Sequence, residues 1–255
     1  MRLLAAHLRI SLLETLRQPG FWVPSVSFPT VLFLFFGMEL ARGTSPLARG
    51  YGDAEELILV QFILVGVLSV MFFTFGVGIA EDRRQPWERQ VRTMPVGSAI
   101  RFGARVITAG VLSVLSGIPV SLLAVATTPI VLDIGDWLLL TGTVLVGAVP
   151  FGLFGIALGY AVSPRAALPL ANIGFLFASF AGGLLVPLSM LPRFLRETAP
   201  YLPTYHWDQF IGNVLVHRSD VGSWGGYGLY LVGWTVLAFI LAAWVYRRDE
   251  GVRFR

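Results

Sequence analysis

Apolar residues in this chain gather into six long runs, separated by shorter stretches that hold nearly all of the charge. The runs are Phe21–Leu40, Leu57–Ala80, Val106–Leu132, Trp137–Ser163, Ala166–Leu191 and Val221–Tyr246. A helix crosses a bilayer with about 20 apolar residues, and each run is long enough. The last four contain no Asp, Glu, Arg or His. The pattern predicts an all-α, polytopic membrane protein with six transmembrane helices in a single membrane domain, residues 21–246. Several runs exceed the minimum, so tilts or kinks are expected. Pro119, Pro129, Pro150, Pro169 and Pro187 mark where kinks or helix ends would fall, because proline lacks a backbone donor.

The flanks and connections carry patterns of their own. In residues 1–20, Leu4, Leu8, Leu12 and Leu16 recur on one helical face, with His7, Ser11, Glu14 and Gln18 on another. This favours a helix lying on the membrane, its arginines snorkelling into the headgroups, over a plain charged leader. The first run starts only at Phe21 and lacks a small-residue cleavage site, so it is expected to be retained rather than cleaved as a signal peptide.

Between the second and third runs lies a stretch of dense mixed charge: Glu81, Asp82, Arg83, Arg84, Glu88, Arg89 and Arg92, interleaved with Trp87, Val91 and Met94. Pro86 suits a first helical turn and Pro95 an end. Composition alone fits two readings, an amphipathic helix docking in a partner's groove or a solvated loop. The segment Pro192–Asp220 holds Pro192, Pro200 and Pro203 beside Tyr201, Tyr205, Trp207 and Phe210. It is too long for a tight connection and too apolar for a soluble domain. Half-inserted helical turns and an ordinary interfacial aromatic belt both fit. Gly155 and Gly159 form a small-x-x-x-small pair; packing within one subunit is the commoner use, a dimer seam the rarer.

Composition sharpens the picture. The chain is 55% hydrophobic and 13% charged, about half the charge usual for a soluble domain. It has no cysteine, which excludes disulfides and thiolate metal sites. All 19 basic residues are arginine. The phosphate-binding loop G-x-x-x-x-G-K-S/T needs a lysine, so no such loop exists here and no cofactor is expected in this chain. Fourteen arginines flank the runs on one side and five (Arg42, Arg49, Arg193, Arg196 and Arg218) on the other. Positive-inside bias then places both termini, the 81–95 loop and the tail 247–255 in the cytoplasm. The basic balance is juxtamembrane, which argues against nucleic acid as a partner.

With these pieces assembled, the chain resembles the ABC-2 type permeases of bacterial drug and polysaccharide exporters over nearly its whole length. The resemblance runs from Leu13-Glu14-Thr15-Leu16-Arg17-Gln18-Pro19 into a first helix with Pro24, Pro29 and Gly37, and on through the charged loop to Thr93-Met94-Pro95. It is most specific at Ala181-Gly182-Gly183-Leu184-Leu185-Val186-Pro187, Leu191-Pro192-Arg193-Phe194 and Ala199-Pro200-Tyr201-Leu202-Pro203. The chain departs from the pattern at Pro86-Trp87, where relatives commonly carry a glycine–threonine pair. The resemblance implies a permease of the bacterial or archaeal cytoplasmic membrane, paired with a second copy or a homologous permease and with two cytoplasmic ATPase subunits that bind the ATP and magnesium. It implies that residues 81–95 form a coupling helix seated in the ATPase. Pro187, Pro192, Pro200 and Pro203 would shape re-entrant turns on the outer face, and the cargo would be amphipathic, drug-like or lipid-linked, or else a glycan.

Two other classes fit less well. An ion-coupled carrier normally holds an ionisable group inside the membrane, whereas the runs offer only Gln61 and Asn172, with Glu39 near an end. An intramembrane enzyme would need a buried nucleophile and base; His7, His206 and His217 all lie outside the runs, and neither H-E-x-x-H nor G-x-S-x-G occurs. Topology is directly testable in this cysteine-free chain. Cysteines introduced at Ser45 and Ser219 are expected to react with an impermeant thiol reagent on intact cells, and cysteines at Gln90 and Val252 to stay unlabelled. External labelling of Gln90→Cys would invert the orientation.

Overall fold

The computed structural model describes residues 23–41, 55–83, 85, 98–215 and 224–253, together with isolated positions between 9 and 17. Among these residues the chain forms helices joined by short turns, with no strand. That follows from apolar runs in which backbone donors and acceptors must pair within the segment itself. Helix α1 covers residues 23–41 and contains π-helical turns at Val23–Ser27 and Phe33–Gly37. Helix α2 covers residues 55–82 and widens into a π-helix over Met71–Val77. Helix α3 is Ser98–Thr127, and α4 joins Ile134–Gly147 to Val149–Ala161 through Ala148. Helix α5 is Pro164–Ala181, α6 the short Arg193–Thr198, α7 Pro203–Leu215 and α8 Trp224–Arg253.

All six apolar runs contain helix, and four helices have the length and apolarity to cross a membrane: Glu56–Asp82, Ala104–Thr127, Ile134–Ala161 and Gly225–Asp249. The apolar part of α1, Ser25–Ala41, is shorter. So is α5, which has 18 residues and opens on Pro164 and Arg165. In the fifth run, where Pro187 marked a kink or helix end, the helix stops six residues earlier. Helix α5 stops at Ala181 because Gly183 takes φ +84°, a conformation that favours glycine. Gly183 N donates to Phe180 O at 3.1 Å and Leu184 N to Ser179 O at 3.0 Å, the two bonds of a Schellman stop. Helix α4 starts from a reciprocal cap: Asp136 N donates to the Asp133 carboxylate at 2.8 Å and Asp133 N to that of Asp136 at 3.1 Å.

Helix α2 is the axis of the bundle. In its most apolar window 83% of residues are buried inside the chain, against 22% in α8, which marks α8 as a peripheral staff. Leu12 and Leu16 from the N-terminal segment lean on the core while Leu13 is exposed.

Backbone comes close to backbone between α2 and the second half of α4. A Cβ placed on Gly155 would sit 2.4 Å from Met71 O, and one on Gly159 2.9 Å from the carbonyls of Gly76 and Phe75. Gly152 faces the Met71 sulfur at 3.2 Å in the same construction. The glycine face of α4 therefore lies directly on the π-helical turn of α2. The Gly155/Gly159 pair is used within the subunit, as the commoner of its two readings held.

Because the neighbour of Gly155 is backbone and cannot rotate away, Gly155→Ala is expected to destabilise by about 1–3 kcal/mol through overpacking. Gly142, on the same helix, has nothing within 4 Å of its would-be Cβ. Gly142→Ala should be neutral or stabilising by up to about 1 kcal/mol. Thermal unfolding midpoints of the two variants in detergent check the contrast.

Candidate functional site

The ion pairs between helices and the buried Asp208 and His206 lie toward the two ends of α2. At the end where residues 81–95 begin, Arg83 points inward. Its Nη1 donates to the carbonyls of Gly159 at 2.8 Å, Tyr160 at 3.0 Å and Val162 at 3.3 Å, taking up acceptors that the C-terminus of α4 leaves open. Its Nη2 pairs with Asp249 of α8, and its guanidinium lies 5.6 Å from the centroid of the Tyr160 ring. Tyr160 in turn packs edge-on against Tyr246 of α8 at 5.0 Å. The pair is well shielded, with side chains 16% and 10% exposed. One position earlier, Asp82 pairs with Arg105 of α3, so the helices on either side of the loop are tied at its root. Four helices meet through two neighbouring residues.

At the far end, α7 is driven into the bundle. Trp207 is fully buried and stacks on Phe151 of α4 at 4.9 Å. It occupies space that only a glycine leaves open, since a Cβ on Gly147 would lie 2.0 Å from its Nε1. Gly182 makes the same allowance for Thr204. Asp208, 4% exposed, accepts from Gln61 Nε2 of α2 at 3.4 Å and from Gln209 Nε2 at 3.3 Å. His206, 3% exposed, lies flat on Tyr230 of α8 at 4.2 Å and 4°. Burial lowers the His206 imidazole below its ordinary range, and burial followed by the neighbouring Tyr227 raises the Tyr205 phenol.

These placements sort the residues singled out from the sequence. Glu81 is exposed at the start of the loop, while Asp82 and Arg83 are engaged with the bundle. Arg84, Trp87, Glu88, Arg89, Arg92 and Met94 lie outside the described residues. The prolines of the far segment each open a turn: Pro187 precedes Leu188–Met190, Pro192 precedes α6, Pro200 lies in Ala199–Tyr201 and Pro203 begins α7. The aromatic cluster divides, with Tyr201 75% exposed, Tyr205 half-buried and Trp207 at 0%.

Sequence reasoning missed Asp208, His206, Asp249 and the two receiving glycines. Asp208 arrives from outside the apolar runs and is buried beside Gln61. The signals were present: a lone carboxylate in an apolar segment, and one acidic pair among the arginines of the tail.

A helical bundle with a buried axis, a charged root at one end and an inserted aromatic helix at the other, four of its helices long and apolar enough to cross a bilayer, is a polytopic membrane protein. Residues 21–244 match the family described as "ABC-2 family transporter protein", and the chain belongs to that family. It is 23% identical over 239 residues to the "Putative transport permease YvfS" of Bacillus subtilis (strain 168), covering 94% of this chain and 95% of that one.

Trp207→Ala empties a fully buried site and is expected to cost about 3–5 kcal/mol. It should also make residues 192–215 sensitive to protease. Tyr201→Ala, at an exposed ring, should leave both readouts near those of the parent chain. Limited proteolysis with mass mapping, beside thermal unfolding, measures the difference.

Proposed function

We propose that the chain is the membrane subunit of an ABC exporter, powered by a separate cytoplasmic ATPase present in two copies and paired with a second permease. In this reading α1 and α5 join the four long helices to make six spans, and both termini lie in the cytoplasm. Residues 81–95 form the coupling helix that docks in the ATPase. The observation that carries the reading is the root of that loop. Asp82 and Arg83 link its first residues to α3, α4 and α8 at once, as a loop that receives force must be linked. A loop that only fixed topology would need no such joint.

Membership of the ABC-2 family supports the same assignment, and the missing phosphate-loop lysine moves ATP hydrolysis to a partner. The cargo is amphipathic or lipid-like. In support, a cavity of about 370 Å³ opens between α2, α3 and α4, lined by Ile63, Ile118 and Leu140 with the hydroxyls of Ser113, Ser121 and Thr141. Apolar walls with a few hydroxyls suit a substrate that is mostly hydrocarbon.

Docking makes a specific demand on Trp87. An aromatic anchor at an interface centre is worth about 2 kcal/mol or more, roughly a thirtyfold change in affinity. A rim charge is worth much less. Trp87→Ala is therefore expected to release the ATPase during co-purification at matched expression, and Arg89→Ala to retain most of it. Reversing Glu81 and Asp82 together should be severe on two counts, repulsion replacing attraction both at the docking surface and in the Asp82–Arg105 pair. Full ATPase retention by Trp87→Ala removes that residue from the docking role. ATP turnover by the purified chain alone would defeat the proposal as a whole.

A further inference from the structure

We propose that the Arg83–Asp249 pair is the joint through which movement of the 81–95 loop reaches α7 at the opposite end of the bundle; this rests on the reading of that loop as the ATPase-docking element. The argument begins with which helices meet where. At the loop end, α2 and α8 are joined by Arg83 and Asp249. At the far end the same two helices hold α7 between them, α2 through Gln61 and Asp208 and α8 through Tyr230 and His206. At 1.5 Å of rise per residue, Arg83 and Gln61 stand roughly 33 Å apart on α2, and Asp249 and Tyr230 roughly 29 Å apart on α8. Two rods of nearly equal length thus run between one ion pair and one small helix.

A slide of α2 against α8 must then be felt by α7. Its grip on α2 is a directional hydrogen bond and its grip on α8 is a flat ring stack, and a shift strains either one. Helix α4 fills the space between the rods. It is pinned to α2 by the glycine contacts and to α8 by Phe154 against Trp234 at 6.0 Å and Tyr160 against Tyr246 at 5.0 Å. Arg83 holds α4 through neutral carbonyls and α8 through a charge. Removing the Asp249 charge therefore takes away the hold of Arg83 on α8 and leaves the α2–α4 contact in place. Arg83 and Asp249 act through α7 rather than on cargo, which makes them positioning residues. Coupling over this distance calls for an element with two arrangements that both ends bias, and α7 is placed to be that element.

The test uses the full chain with its co-purifying ATPase in proteoliposomes. Tyr201, 75% exposed immediately before α7, is replaced in Tyr201→Cys, the single thiol of a cysteine-free chain, and labelled with a bimane fluorophore. The emission change between the nucleotide-free and the ATP-plus-vanadate states is the readout. With Asp249 intact a clear change is expected. Asp249→Asn should reduce it about fivefold or more, the lower range of measured allosteric couplings, while ATPase binding and hydrolysis persist. Asp249→Glu, which keeps the charge, should restore it.

If Asp249→Asn does not fold, Asp249→Ser serves instead, because it removes the same charge from α8 without touching residues 81–95; the same reduction is expected. A purely structural pair predicts lower thermal stability with an undiminished emission change. That result, or the absence of any change in the parent complex, overturns the inference. Failure of the parent chain to retain an ATPase is read separately, by co-purification, and defeats the docking proposal instead.

Discussion

The contact on which the rest of this bundle depends is backbone against backbone, where the glycine face of α4 lies on the widened turn of α2. Between helices in lipid there is no hydrophobic gain to draw on, because the tails are as apolar as the side chains. Association then relies on close van der Waals fit. Gly152, Gly155 and Gly159 supply it by bringing α4 down onto the carbonyls of Met71, Phe75 and Gly76. Once α4 is seated, its C-terminal carbonyls reach Arg83, its midpoint offers Gly147 as the slot for Trp207, and its outer side receives α8. A bulkier α4 would lose all three together.

The polar groups are few and expensive, and their placement follows from that cost. A charge taken from water must be paired and hydrogen-bonded. Arg83 meets the requirement with carbonyls, a carboxylate and an aromatic face at once. Asp208 accepts from the side-chain amides of Gln61 and Gln209. One group lies at each end of α2, and between them the helix is almost wholly apolar. The bundle thus has two polar fastenings separated by a smooth axis, a layout suited to small relative movements of whole helices.

Much of this was legible in the sequence, for reasons that can be named. Each apolar run contains helix because lipid leaves the backbone no other partner. Asp133-x-x-Asp136 announces the start of α4, and Gly182-Gly183 the end of α5 even though apolar residues continue to Leu191. Other features were hidden in principle. The string Glu81-Asp82-Arg83-Arg84 has uniform charge density, and nothing in it tells which arginine turns inward, because that is decided by carbonyls 76 to 79 residues away. Asp208 was overlooked because burial was read from unbroken apolar runs, and a short helix folded back into the bundle escapes such a reading. Trp207 and Tyr201 belong to one aromatic cluster in the sequence, yet only Trp207 is buried, against Gly147 and Phe151.

The π-helical turn in α2 has a consequence for how this chain can vary. Each residue advances an α-helix by about 100°, and a π-bulge accommodates an added residue within a turn. The surplus over Met71–Val77 resets the angular phase of everything after it. Gln61 lies before the reset and Arg83 after it, so each faces its partner only because the helix changes phase between them. Substitutions along the apolar stretch preserve that phase; a one-residue insertion or deletion does not, since it swings the loop-end face by more than a quarter turn. Length in this helix is therefore held more tightly than side-chain identity.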